Sequence, residues 1–129
     1  MPDSRKVIDA EGAPEALGPY SHAVRAGGLL FCSGQIPLDP QTGELASGGF
    51  GAQARRCLEN LDAVCTAAGA RLADAVRVTV WLTDMAAFAE VNEVYGTFFG
   101  SEPPARVAVA VSALPKGADV EIDAIVALG

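Results

Sequence analysis

Positive charge is what this chain has least of: nine lysines and arginines stand against sixteen aspartates and glutamates, a net charge of −7. A surface of that sign repels phosphate backbones, which are held by clustered cations. Nucleic acid is therefore not the expected partner. Long apolar runs are also missing, although 50% of the residues are hydrophobic. No segment nears the ~20 residues that cross a bilayer, and the opening MPDSRKVIDAEG has no apolar stretch of signal-peptide type. The expectation is a cytoplasmic protein without a membrane partner.

Cysteine is scarce and odd in number, three residues with no metal-ligand spacing. Cys57 and Cys65 lie two helical turns apart, about 12 Å and too far to bridge. Reduced, buried thiols are expected. The only histidine, His22, has no cysteine or second histidine to share a metal with, so packing is its expected role and no metal is implied. A P-loop, a dinucleotide fingerprint and a G-x-S-x-G elbow are absent as well, and no cofactor is expected.

What is present reads as a single domain over 1–129, with no repeat, linker or low-complexity segment, long enough to bury roughly two-thirds of its unfolded surface. RKVID (5–9) predicts a short first strand. Residues 21–26 and 29–33 predict a hairpin about Gly27-Gly28, and SGQIP (33–37) closes its second strand. From 49 to 68, Ala54, Cys57, Leu58, Leu61, Val64, Cys65 and Ala68 recur at three- and four-residue steps, an amphipathic helix stopped by Gly69. Val76, Val78, Val80 and Leu82 alternate with polar neighbours as a strand. Asp84 is placed to cap a second helix with the stripe Met85, Phe88, Val91, Tyr95 and Phe98 or Phe99, and Asn92 lies on that stripe.

Two further strands follow, and each sets a charge into an apolar pattern. Over 106–113, Val107, Val109 and Val111 face one way, and Arg106, Ala108, Ala110 and Ser112 the other. Over 120–128, Val120, Ile122, Ala124 and Val126 oppose Glu121, Asp123, Ile125 and Ala127. Two helices cover only one face of such a sheet. The valine-rich face is thus the expected core, and the other, with Trp81, Ala108, Ala110 and Ile125, is left for packing between subunits.

Arg106 offers a planar fork that suits a small carboxylate, though a stem packed on the sheet with its head on a structural carboxylate or water is the commoner explanation. Glu121 can handle a proton if burial raises its pKa, though a solvent-facing strand residue is the plainer alternative. Tyr20 follows a Gly-Pro turn and either sets a hydroxyl over a pocket or packs on its loop. A buried Asn92 would need partners, from a ligand or from a nearby loop.

Gly18-Pro19-Tyr20-Ser21, Ser33-Gly34-Gln35-Ile36-Pro37, Asn60-Leu61, Val91-Asn92-Glu93-Val94-Tyr95, Pro104-Ala105-Arg106, and Leu114-Pro115-Lys116-Gly117-Ala118 with Val120-Glu121-Ile122 together resemble the RidA/YjgF family of reactive-intermediate deaminases. The resemblance runs over essentially the whole chain. It implies a chorismate-mutase-like α+β fold, a mixed sheet of about six strands with two helices on one face, and a homotrimer with clefts between subunits. The implied activity is cofactor-independent hydrolysis of 2-imino acids, formed from enamines such as 2-aminoacrylate, to 2-keto acids and ammonia. That reaction protects pyridoxal-phosphate enzymes. Matched residue by residue, Arg106 is the carboxylate anchor and Glu121 the acid that positions water, while Tyr20, Ser33, Gly34 and Asn92 line the same cleft.

Two departures stand out. Ala108 occupies a position where members often carry cysteine, so no thiol contributes there, and His22 replaces a common glutamine. Two other functions stay open: a module that binds small keto or amino acids without turnover, and a ribonuclease or translation inhibitor, which the acidic charge disfavours. A simple hairpin about 115–118 would leave Arg106 some ~20 Å from Glu121. The resemblance instead implies that the last strand runs antiparallel between the strands of Leu29 and Val76.

Overall fold

The structure, a computed structural model, describes residues 5–129. In chain order it has β1 (Lys6–Ile8), β2 (Ala23–Ala26), β3 (Leu29–Gln35), α1 (Phe50–Ala67), β4 (Ala75–Leu82), α2 (Phe88–Gly96), β5 (Ala105–Ala110) and β6 (Val120–Ala127). The strands form one mixed sheet in the order β1-β2-β3-β6-β4-β5. Only β4 and β5 are parallel. The final strand does enter between β3 and β4, antiparallel to both, and the local hairpin with β5 does not form.

Alternation and burial agree along β6: Val120, Ile122, Ala124 and Val126 are buried and meet Leu30, Val78, Val80 and Leu82 in the core. Against this layer α1 turns its stripe of Ala54, Cys57, Leu58, Leu61, Val64 and Cys65, and α2 adds Val91 and Tyr95. Helix α1 stops as expected. Gly69 takes φ +73°, its N–H donates to the Thr66 carbonyl at 3.0 Å, and the Ala70 N–H donates to the Cys65 carbonyl at 2.9 Å, the double bond of a glycine C-cap. The start of α1 is capped from outside, where Glu90 of α2 accepts the Gly51 N–H at 2.7 Å, a carboxylate at the positive end of the helix.

Three expectations need correction. First, Arg106, Ala108 and Ala110 pair in register with Val78, Val80 and Leu82, whereas Val107 and Val109 pair with Thr79 and Trp81. The alanines of β5 therefore face the helices, with Ala108 packed on the core, and the valines face away. Both faces of this strand are apolar, so alternation alone could not orient it. Second, Val76 is 45% exposed, because the register shifts between Ala75 and Arg77 and takes Val76 out of the alternation. Third, Asp84 accepts the Ala86 N–H at 2.9 Å but caps a 3-10 turn, Met85–Ala87, ahead of α2. Met85 is exposed there.

No described helix lies on the opposite face, which carries Trp81 and Ile125 as expected. Val7, Val24, Phe31 and Ile125 form a continuous apolar row across four strands of it. All three cysteines are free and buried. The neighbouring Cys65 thiol, and after it burial, push the Cys32 thiol well above its ordinary range.

Candidate functional site

Glu121 is the third partner of a local arrangement that begins with a bulge. The register of β3 against β6 shifts between Cys32 and Gln35, which sets Ser33 and Gly34 outside the regular ladder. The Glu121 carboxylate lies directly against Gly34, and a Cβ on Gly34 would run into Oε2 and crowd Cδ and Cγ. This explains glycine there without any unusual backbone angle. The Ser33 hydroxyl donates to the Ser21 carbonyl at 2.6 Å, and the Ser33 N–H to the His22 carbonyl at 3.0 Å. The loop before β2 is thereby tied to the bulge.

That loop brings Tyr20 over the carboxylate. Its hydroxyl accepts the Leu17 N–H at 3.1 Å, which leaves its own proton for another acceptor. Tyr20, Ser33, Gly34 and Glu121 line one cavity of about 460 Å³, closed on its apolar side by Leu17, Ile36 and Pro115. Burial, reinforced by the charge of Asp123, raises the Glu121 carboxyl above the ordinary value.

The loops framing this cavity hang from α1. The Asn60 side chain, fully buried, donates to the carbonyls of Ile36 and Leu38 at 3.3 and 2.9 Å. Gln53 accepts the Asp119 N–H at 2.8 Å, and the Cys57 thiol reaches the Val120 carbonyl at 3.5 Å. Asn60 was singled out in the sequence only as part of a motif. Gln53 carried no signal, since a polar residue on a helix gives no hint of the loop it will hold.

Arg106 belongs to a second cluster. One Nη donates to Asn92 Oδ1 at 2.6 Å, and the guanidinium carbon lies 4.7 Å from the Tyr95 ring centre and 5.2 Å from that of Phe88, within cation–π range. Asn92 is exposed, not buried. It finds its partner in the arginine. Among the described residues the ion pairs are His22–Asp9, Arg56–Glu59 and Arg71–Asp74. Arg106 therefore has no carboxylate partner among the described residues of its own chain. With Asn92, Tyr95, Phe99, Pro103 and Pro104 it lines a cavity of about 490 Å³.

The two clusters do not meet within one chain. Arg106 pairs with Val78 and faces the helices, whereas Glu121 pairs with Trp81 on the open side. Three residues along β4 and two strand spacings separate their backbones by roughly 14 Å. Tyr20, Ser33, Gly34 and Glu121 make one cluster, and Arg106 and Asn92 the other.

A six-stranded mixed sheet with both helices on one side and a carboxylate set against a strand bulge defines a compact α+β class. Residues 10–128 match the family described as Endoribonuclease L-PSP. A RutC family protein of Pyrococcus horikoshii is 53% identical over 94% of this chain and 96% of its own length. The 2-iminobutanoate/2-iminopropanoate deaminase of Mus musculus is 46% identical over 97% and 93%. The crystal structure of RidA from an Antarctic Psychrobacter superposes with a TM-score of 0.92 at 47% identity, covering 96% of this chain and 100% of that one. The chain belongs to this family, RidA/YjgF.

Proposed function

We propose that this protein hydrolyses 2-imino acids to 2-keto acids and ammonia, without an added cofactor, in sites shared between the subunits of a homotrimer. The observation that carries the proposal is the division of labour on the surface: an unpaired guanidinium on one face and a carboxyl of raised pKa on the other. Arg106, braced by Asn92 and stacked on Tyr95 and Phe88, binds the substrate carboxylate through its remaining N–H donors. Glu121 of an adjacent copy, with Tyr20 and the Ser33-Gly34 bulge, meets the imine carbon and nitrogen.

The steps balance without a redox partner. Glu121 in its acid form gives a proton to the imine nitrogen; as carboxylate it then takes one from the water that attacks the carbon. Glu121, again in its acid form, then protonates the amino group of the carbinolamine and, as carboxylate, takes the hydroxyl proton as the C–N bond breaks, so that ammonia leaves and the 2-keto acid remains. An imine is electrophilic already, so positioning and modest acid–base help suffice. The apolar row of Val7, Val24, Phe31 and Ile125 supports association through the open sheet face. A ribonuclease function has less support, because the net charge is −7 and both ring nitrogens of the only histidine are engaged within the fold.

The test uses 2-iminopropanoate generated in situ by an amino-acid oxidase, with ammonia and pyruvate measured against the spontaneous rate. Acceleration that disappears in Arg106→Ala is expected. Binding of pyruvate without any acceleration would instead establish a carboxylate-binding module.

A further inference from the structure

A cavity of about 610 Å³ is lined by neither Arg106 nor Glu121; it lies between β1 and the loop that follows it, and His22 forms part of its wall. His22 is 5% exposed, and neither ring nitrogen is idle. Nδ1 lies 2.9 Å from the Ala10 N–H, and Nε2 lies 2.8 Å from the Pro14 carbonyl. An amide nitrogen can only donate and a carbonyl can only accept. The ring is therefore fixed as the neutral tautomer with its proton on Nε2. In that form it pins both ends of segment 10–14 to the start of β2. The same loop continues to Leu17 and Tyr20, which line the Glu121 cavity.

A proton added at Nδ1 would point at another donor, the Ala10 N–H. The nearest acceptor is Asp9 Oδ1, at 3.4 Å on a side chain 94% exposed. Among the described residues the other titratable groups lining the cavity are Glu11, Glu15 and Tyr20; β1 contributes Val7 and Ile8, and no described cation lines it. From β3, on the far side of β2, the contact is the Ser33 N–H on the His22 carbonyl, which carries no charge.

We propose that His22 is a proton-operated latch that positions the Tyr20 loop: neutral, it holds segment 10–14 through Ala10 and Pro14; protonated, it turns Nδ1–H to Asp9 and frees the Ala10 end. The latch itself rests on geometry alone, and its effect on turnover rests on the function proposed above. Histidine suits the task because its neutral ring offers one donor and one acceptor, whereas its protonated ring offers two donors.

Imidazole and amide NMR of the assembled protein from pH 8 to pH 5 tests the latch directly. The Nε2–H tautomer is expected at pH 8, and as His22 takes up its proton the Ala10 amide should lose about tenfold in exchange protection, corrected for intrinsic rate. His22→Gln offers a carbonyl to Ala10 and an N–H to Pro14 but does not titrate, so its Ala10 protection should stay flat with pH. His22→Ala should lose that protection at every pH. A His22 that stays neutral to pH 5, that titrates without moving Ala10, or whose glutamine variant shows the same pH dependence would overturn the latch. With iminopropanoate, kcat/KM should fall more steeply in wild type than in His22→Gln, which keeps the Glu121 titration, and the difference between the two profiles should follow the midpoint read at Ala10. Absence of hydrolysis in both would count against the proposed reaction and leave the NMR result to decide the latch.

Discussion

The two clusters, around Glu121 and around Arg106, are built by different means. Around Glu121 the architecture is main-chain: a bulge, a glycine in contact with the carboxylate, and loops suspended from buried Asn60 and Gln53. Around Arg106 it is side-chain: one hydrogen bond from Asn92 and two aromatic faces. A proton donor and acceptor has to be held in one place and in a controlled environment, whereas a carboxylate anchor needs charge and a planar fork. The first cluster should therefore fail sharply when its backbone packing is disturbed, and the second should degrade by degrees until the charge itself is removed.

The largest effects come from the two charged groups, and they should differ in kind. Arg106→Ala is expected to lower kcat/KM for iminopropanoate about 10³-fold, chiefly through KM, since a bidentate charged contact is lost. Glu121→Gln should lower it by about 10²- to 10⁴-fold through kcat. The same split in both variants would erase the distinction between anchor and acid.

Gly34→Ala comes next. The methyl group must displace the Glu121 carboxylate, so kcat should drop about 10²-fold while circular dichroism and the size of the assembly stay unchanged. Normal activity in this variant would show that the glycine contact does not fix the acid. Asn92→Ala, on the more tolerant side, should raise KM only about 5- to 10-fold, because the two rings still hold the guanidinium.

The smallest effect concerns stability. Burial and Asp123 hold the Glu121 carboxyl above its ordinary value, so the native state binds a proton more readily than the unfolded chain. The sign follows: wild-type stability is fully retained below the unfolded carboxyl value of about 4.3 and falls as pH rises through the native one. Glu121→Gln escapes that loss and should melt about 1–2 °C above wild type at pH 7, with the gap closing toward pH 4. A lower melting temperature at pH 7 would mean that the carboxylate stabilises the fold.

Much of the fold was legible in the sequence because its signals are local. The stripe of α1, the Gly69 stop, the alternation of β6 and the hairpin at Gly27 each depend on residues a few positions apart. The orientation of β5 was not legible, since alanine and valine make both its faces apolar and only pairing with β4 decides between them. The place of β6 came from family resemblance, as strand order is a long-range property. Tyr20, Ser33, Gly34, Asn92, Arg106 and Glu121 were singled out in the sequence and Gln53 was not, and the separation of Arg106 and Glu121 onto opposite faces was invisible until the register was known. His22, read as a packing residue, gave no sign that each of its nitrogens would meet a different backbone group.

The central claim is that Arg106 and Glu121 act on one substrate from two different subunits. Mixing inactive Arg106→Ala and Glu121→Gln proteins in equal amounts, with reversible dissociation and reassembly, tests it most directly. Random trimers would place one intact site in each mixed assembly, so about a quarter of wild-type activity should return. A mixture that reassembles, as judged by mass spectrometry of the hybrids, yet stays as inactive as its parents would contradict a shared site.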